Sequence, residues 1–318
     1  MIRLLISALL LAVAATQSSV AQEPSAHFSS ESELVVLHVA VKDRKGAYVG
    51  GLAQEAFRVS ENKLPQAISF FHTQDAPVTV GLLMDSSGSM RPHRDIVIAA
   101  SLAFTKAMNP ADEFFVLGFN ESIHAPLPPS APFTHHEPTL RVALFQAIKA
   151  IGQTAIYSAL NTGLDYVRRG AFERQVLVVV SDGGDNASSV TRSDVLVSAQ
   201  ASNAVIYTIA LVDPMDTEAD PGFLSQLSEM TGGISFRPKN ASDVEEILKR
   251  VARDIRSTYT LGYVPSKAAA KTAARAQRDE LRRVSVEVRS PAGERLAVRT
   301  RRAYFAGAGG DGDVQHAR

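Results

Sequence analysis

The segment Val78–Ser89 is the stretch that most constrains what this chain can fold into. Six of the seven residues before Asp85 are apolar or glycine, a pattern that predicts a strand buried on both of its faces. Asp85 ends this strand, and Ser87 and Ser89 follow at alternate positions. All three side chains carry oxygen, the donor that hard divalent cations prefer. The segment therefore predicts a buried strand that carries part of an oxygen-rich cation site.

The composition excludes several kinds of chemistry. The chain has 318 residues, and 33 Lys and Arg balance 33 Asp and Glu, so bulk charge gives no reason to expect nucleic acid as a partner. It contains no cysteine, which rules out disulfides, thiolate metal sites and cysteine catalysis. The hydrophobic fraction of 45% supplies ample core for ordinary globular domains. Any cation site must therefore be built without thiolate ligands.

Residues 1–21 have the pattern of a secretory signal peptide. Arg3 supplies a positive charge, Leu4–Ala15 supplies an apolar run, and small residues lead up to Ala21. The apolar run is too short to span a bilayer comfortably. We expect cleavage after Ala21, a linker at residues 22–32, and a secreted or periplasmic product of a bacterial envelope with no integral membrane segment.

The pattern of strands and helices divides the rest of the chain into three parts and a tail. Residues 33–76 and 259–305 are β-rich, whereas residues 77–258 alternate strands with helices. This alternation predicts a doubly wound α/β domain, with a mostly parallel sheet and helices on both faces. Each β-rich flank is too small to bury a core alone, so we expect the two to pair into a small β-sheet domain in which the α/β domain is inserted. The Gly-rich residues 306–318 are predicted to be disordered.

Two further residues, Thr154 and Asp182, fall where they can complete the cation site. Asp182 follows the β-branched strand Val176–Val180, and Thr154 lies at the start of a helix. Ligands of open parallel sheets bind beyond the carboxyl ends of the strands. Five oxygen side chains with only two negative charges suit Mg²⁺, which keeps several waters, and Mn²⁺ and Ca²⁺ are alternatives. The predicted metal ligands are Asp85, Ser87, Ser89, Thr154 and Asp182.

Each element of this site has another explanation. Thr154 alone could serve as a helix N-cap, and Asp182 alone could begin a turn. The three elements in order, each in the right context, favour the metal site. Asp185 is either a turn residue that bonds its own backbone or an acceptor that supports the site. His135 and His136 lie in a proline-rich loop and are interpreted as exposed side chains rather than ligands.

These motifs together resemble the von Willebrand factor A (VWFA) domain with its metal-ion-dependent adhesion site. The resemblance rests on D-S-S-G-S after a buried strand, then G-Q-T-A-I-Y-S-A-L, then V-V-V-S-D-G, and it covers about Val78–Thr258. It implies a Rossmann-like fold and a site of the pattern D-x-S-x-S, a later Thr and a later Asp, which the five predicted ligands fill without departure. It also implies that the hydroxyls coordinate directly, that one or both Asp act through water, and that an acidic residue of a protein partner completes the coordination.

The flanks resemble an exported bacterial group called the VWFA-related (acidobacterial-type) domain. This likeness rests on K-D-R-K-G-A-Y-V-G-G-L-A-Q-E-A-F-R-V-S-E-N before the α/β domain and on Y-T-L-G-Y-V-P after it. It implies an exported protein and identifies no particular partner.

Three functions compete on the sequence. The first is a metal-dependent protein-binding module of the adhesion type, which the complete metal motif favours. The second is a structural or regulatory subunit of an envelope assembly, in which the metal mainly holds the fold. The third is a phosphoryl-transfer hydrolase with Asp85 as nucleophile, but such aspartate enzymes need a second carboxylate where this chain has Ser87. The chain also has no G-x-S-x-G elbow, no P-loop and no H-E-x-x-H motif, so we do not expect the protein to be an enzyme.

Overall fold

The computed structural model of the chain describes residues 34–213, 217–266 and 281–305. The predicted signal peptide, linker and tail lie outside these residues. The described strands are β1 (Val35–Lys42), β2 (Phe57–Glu61), β3 (Leu64–Gln66), β4 (Ile68–His72), β5 (Thr79–Asp85), β6 (Glu113–Phe119), β7 (Ile123–His124), β8 (Gln175–Ser181), β9 (Val205–Ala210), β10 (Ser235–Phe236), β11 (Thr258–Tyr263), β12 (Leu281–Val288), β13 (Ala297–Arg299) and β14 (Ala303–Phe305). The described α-helices are α1 (Arg94–Ala107), α2 (Glu137–Ala147), α3 (Ile156–Val167), α4 (Arg192–Ala201), α5 (Pro221–Thr231) and α6 (Val244–Arg256).

A six-stranded sheet in the order β10-β9-β8-β5-β6-β7 forms the centre of the α/β domain. Every pairing from β10 to β6 is parallel, and only the two-residue strand β7 runs antiparallel to its neighbour. The strands β5 and β8 lie side by side in the middle, where sheets of this kind bury both faces. This arrangement explains their almost continuous apolar sequences and confirms the predicted doubly wound, mostly parallel α/β fold.

Helices cover both faces of this sheet because successive side chains of a strand point to opposite sides. Val80 and Leu82 of β5 join one core, which includes residues of α1, α2 and α6. Leu83 joins the other core, which includes residues of α3, α4 and α5. Position 81 is glycine because a side chain would not fit there: a Cβ would come within 2.3 Å of the Phe115 ring. Alternate residues of β5 therefore pack into the two cores on opposite faces of the sheet.

The two β-rich flanks pair with each other, as predicted. Strand β1 from before the α/β domain runs antiparallel to β11 from after it, with Val35 opposite Tyr263. The flanks form two four-stranded sheets, in the orders β13-β1-β11-β4 and β14-β12-β2-β3, so each sheet contains strands from both sides of the α/β domain. Both sheets contribute to a single hydrophobic core, which includes Leu37, Phe57 and Tyr259.

The segment Arg295–Phe305 is divided between the two flank sheets. Its first strand, β13, belongs to one sheet and its second, β14, to the other. Residues 300–302 lie between them, and Arg301 is buried there with its Nη2 donating to the Gln200 carbonyl at 2.6 Å. Strands that switch between packed sheets are a common way to turn a corner.

In the part of the chain that the structure describes, no helix has both the length and the apolar character needed to cross a membrane.

A buried carboxylate, Asp254 on α6, joins the α/β domain to both flanks. Its Oδ2 accepts a hydrogen bond from the Tyr207 hydroxyl at 2.6 Å, and its other oxygen accepts one from the Tyr48 hydroxyl. Arg299 of β13 donates to the same carboxylate and to the Gly232 carbonyl. Asp254 is fully buried, so its charge depends on these donors rather than on water.

Replacing Arg299 by Met will destabilise the protein by roughly 3 kcal/mol, because it leaves the buried Asp254 charge without its cationic partner. Arg256→Met is the control, since its partner Asp75 is about half exposed, and it will cost less than about 1 kcal/mol. Urea unfolding of the two variants measures the difference. Equal losses would show that the Asp254 cluster is no stronger than a surface ion pair.

The buried His38 predicts how stability depends on pH. Burial, followed by the charges of Arg174 and Arg301, lowers the pKa of His38 from 6.5 to about 3. As the pH falls below 6.5, His38 becomes protonated in the unfolded chain but stays neutral in the folded protein. The free energy of unfolding therefore decreases. Through His38, the free energy of unfolding is about 2 kcal/mol lower at pH 5 than at pH 7.

His38→Gln will therefore lose about 2 kcal/mol less stability between pH 7 and pH 5 than the wild type does. Chemical denaturation at the two pH values measures this. His135→Gln, a change of an exposed histidine, is the control and will keep the wild-type pH dependence. A His38→Gln variant with the wild-type pH dependence would show that the lowered pKa of His38 does not cause the loss of stability.

Candidate functional site

Three loops meet at the carboxyl edge of the central sheet and, together with Glu218 from the segment between β9 and α5, line a pocket of about 270 Å³. The first follows β5, the second precedes α3, and the third follows β8. Four of the five predicted ligands line this pocket: Ser87, Ser89, Thr154 and Asp182. The fifth, Asp85, is only 1% exposed and is hydrogen-bonded to Ser87. The structure thus brings together residues that are almost a hundred positions apart in the sequence.

Asp85 is fixed by two donors. Its Oδ1 accepts the Ser87 N–H at 2.8 Å, and its Oδ2 accepts the Ser181 hydroxyl at 2.6 Å. Burial raises the pKa of Asp85 to about 6, and the hydrogen bonds from Ser181 and Ser87 oppose that rise. A cation in the adjoining pocket would offset the cost of burying this charge.

A chain of hydrogen bonds connects the first loop to the third. The hydroxyls of Ser87 and Ser89 lie 3.0 Å apart, and the Ser89 hydroxyl donates to Asp182 Oδ2 at 2.7 Å. The other oxygen of Asp182 accepts the Gly184 N–H at 3.0 Å. The oxygens of these side chains therefore form a connected group along one side of the pocket.

Thr154 is held by the third loop through a residue that the sequence did not single out. Asn186 Oδ1 accepts the Thr154 N–H at 2.9 Å, and the Thr154 carbonyl accepts the N–H groups of Asn186 and Ala187. Asn186 could have been found as a polar residue four positions after Asp182, in the same Gly-rich turn. The backbone of Thr154 is fully engaged by these contacts, so the residue lies at a defined place in the pocket.

Asp185 supports the helix after the second loop. Its Oδ1 accepts the N–H of Tyr157 at 3.3 Å and the Ser188 hydroxyl at 2.5 Å. Tyr157 is in the first turn of α3, where backbone N–H groups lack partners within the helix. Asp185 is therefore an acceptor for its surroundings and is not among the residues that line the pocket.

The two loop histidines lie elsewhere. His135 and His136 are exposed, and His136 Nδ1 lies 3.0 Å from the Thr139 hydroxyl at the start of α2. Neither lines the pocket described above.

The residues around the pocket fit a hard divalent cation. Their donor set is two carboxylates and three hydroxyls, all oxygen, which suits Mg²⁺ better than softer metals. Two oxygens at right angles about a Mg²⁺ ion would lie roughly 3.0 Å apart, given bonds of about 2.1 Å. The Ser87 and Ser89 hydroxyls have this spacing. Among the described residues there is no cluster of three or more His, Cys, Asp or Glu suited to metal.

Solved structures with similar folds come from several bacteria. A von Willebrand factor type A protein from Catenulispora acidiphila is 13% identical, with 88% of this chain and 76% of that chain covered and a TM-score of 0.48. An aerotolerance-related membrane protein from Bacteroides fragilis is 16% identical, with 55% and 98% covered and a TM-score of 0.43. The vWF domain of the type V pili tip protein Mfa5 from Porphyromonas gingivalis is 13% identical, with 57% and 97% covered and a TM-score of 0.45.

A comparison with curated proteins finds no match to this chain. The family model of the von Willebrand factor type A domain, in contrast, matches residues 80–250, which is more than half of the chain. The chain therefore belongs to the von Willebrand factor type A domain family, and the resemblance read from its motifs is confirmed.

Proposed function

We propose that this chain is an exported, metal-dependent protein-binding module of the adhesion type. Residues Asp85, Ser87, Ser89, Thr154 and Asp182 would hold a Mg²⁺ ion, which supplies an open coordination position for an acidic side chain of a protein partner. The observation that carries the proposal is the convergence of the three loops on one pocket, joined by the hydrogen bonds between Ser87, Ser89 and Asp182. Membership of the type A domain family supports the same class of function.

The charge of the donor set favours an acidic partner group. The two carboxylates of Asp85 and Asp182 balance a divalent cation, and the three hydroxyls bring no further negative charge. A third carboxylate arriving from a partner would therefore meet no excess of negative charge among the five ligands themselves. Glu218 also lines the pocket, where its Oε2 accepts a hydrogen bond from Asn186 Nδ2 at 2.9 Å. Mn²⁺ and Ca²⁺ are alternatives to Mg²⁺, because both also take oxygen ligands.

The surroundings of Asp85 argue against a hydrolase that uses it as nucleophile. Both of its oxygens already accept hydrogen bonds, and only 1% of the residue is exposed. A nucleophilic carboxylate has to reach the substrate within hydrogen-bond distance or closer. The position two residues on, which would hold a second carboxylate in such an enzyme, is Ser87. These observations support a binding role rather than catalysis.

The proposed location is the bacterial envelope or the exterior. It rests on the sequence of residues 1–21, with one positive charge followed by an apolar run and a small-residue ending. A structural or regulatory role in an envelope assembly is the alternative, in which the metal would mainly hold the fold.

Mg²⁺ will stabilise the wild-type protein against thermal unfolding, by about 2.7 kcal/mol when its concentration is 100 times the dissociation constant. Asp85→Asn will remove this stabilisation, because the variant lacks one of the two carboxylates of the site. Asp112→Asn is the matched control: Asp112 is as buried as Asp85, burial likewise raises its pKa to about 6, and it precedes β6 at the opposite edge of the sheet.

The control variant will therefore keep the wild-type response to Mg²⁺. If none of the proteins responds to Mg²⁺, Mn²⁺ or Ca²⁺, the proposed metal site is wrong. If Asp85→Asn responds as the wild type does, the metal binds elsewhere.

If an acidic residue of a protein partner binds the metal, the protein will capture that partner from envelope extract in Mg²⁺ but not in EDTA. Asp85→Asn will fail to capture this ligand even in Mg²⁺, because capture runs through the metal. Affinity isolation followed by mass spectrometry measures the outcome, and circular dichroism checks that the variant is folded. Capture that survives both EDTA and the substitution would favour the alternative, in which the metal is structural.

A further inference from the structure

Ser86 lies between two predicted ligands, yet the pattern D-x-S-x-S leaves its position open. It is fully buried, and its hydroxyl oxygen accepts the N–H of Lys149 at 2.6 Å and the N–H of Ala150 at 3.2 Å. Its carbonyl accepts the next N–H along, that of Ile151, at 2.8 Å. One residue of the first loop therefore holds three consecutive amides of the second loop.

The second loop needs such support because its backbone is strained. Ala150 has a φ of 58°, in the left-handed region that alanine rarely adopts. A residue held in this region costs on the order of 1 kcal/mol or more and persists only where its surroundings fix it. Successive N–H groups around a left-handed residue form a concave site for an oxygen atom, and here Ser86 supplies that oxygen.

The strained turn leads directly to Thr154. After Ala150, the Ile151 carbonyl accepts Asn120 Nδ2 at 3.0 Å, and the Gly152 carbonyl accepts the Gly88 N–H at 3.1 Å. Both contacts tie the second loop to the neighbouring strand ends. Without the Ser86 hydroxyl, the amides of Lys149 and Ala150 would lose this acceptor, the second of them in a buried place, and the turn would be free to relax and shift the residues that follow it.

The geometry points to Ser86 as a positioning residue of the metal site: its hydroxyl holds the amides of Lys149 and Ala150 and thereby places Thr154 in the pocket with Ser87 and Ser89. Ser86 would not touch the metal. It acts through the backbone of the second loop, and its role rests on the proposed function of the site.

The test compares Mn²⁺ affinity in the full chain by isothermal titration for the wild type, Ser86→Ala and Ser101→Ala. Ser101 is also fully buried, and its hydroxyl donates to the Met84 sulfur at 3.9 Å rather than to a loop of the site, so it controls for the loss of a buried hydroxyl. Ser86→Ala will weaken Mn²⁺ binding roughly tenfold or more, as expected when a group that orients a ligand is removed. Ser101→Ala will bind Mn²⁺ as the wild type does.

Hydrogen exchange of the metal-free proteins provides a readout that does not depend on the metal. The amides of Lys149 and Ala150 will be protected in the wild type and will exchange faster in Ser86→Ala. Ser86→Cys keeps nearly the same volume but offers a weaker acceptor, so its affinity will lie between those of the wild type and Ser86→Ala. This variant preserves the test if Ser86→Ala does not fold.

These measurements distinguish the positioning role of Ser86 from the metal binding of the site as a whole. Wild-type protein that binds no Mn²⁺, Mg²⁺ or Ca²⁺ would overturn both. Wild-type binding with equal affinity in the Ser86 variants would overturn the positioning role alone. Unprotected Lys149 and Ala150 amides in the wild type would also overturn it, whereas weakened binding in the Ser86 variants and not in Ser101→Ala supports it.

Discussion

The candidate site depends on one constraint, which is that a carboxylate ends a fully buried strand. Asp85 cannot rely on water, so its two oxygens take the Ser87 amide and the Ser181 hydroxyl. The first of these bonds fixes the loop after β5, and the second ties that loop to the end of β8. The burial that makes the free carboxylate costly is also what would make a bound cation favourable at this point.

Much of this arrangement could be predicted because it depends on local sequence pattern. The almost continuous apolar runs of β5 and β8 predicted central parallel strands, and the oxygen-bearing residues after them predicted the site edge. The supporting contacts could not be predicted in the same way. The bonds from Ser86 to the turn at Ala150 and from Asn186 to Thr154 join a side chain to a distant backbone, and no periodicity in the sequence marks such pairs.

Two element boundaries are not marked in the sequence. Helix α2 ends at Ala147, although the first glycine or proline after it is Gly152. The amides that would have extended it bond to Ser86 instead, and the positive φ of Ala150 is incompatible with a helix. In the flanks, Arg295–Phe305 contains no glycine or proline, so the sequence pattern alone could not locate the switch from one sheet to the other. Tertiary contacts decided these positions.

Three loops of this type A domain are proposed to build one cation site. A crystal grown with Mn²⁺ would test this most directly, through the anomalous scattering of the metal. We expect an anomalous peak in the pocket, at about 2.2 Å from the hydroxyl oxygens of Ser87, Ser89 and Thr154 and near the carboxylates of Asp85 and Asp182. A pocket without a peak in a crystal saturated with Mn²⁺, or a peak bound only at other residues, would contradict it.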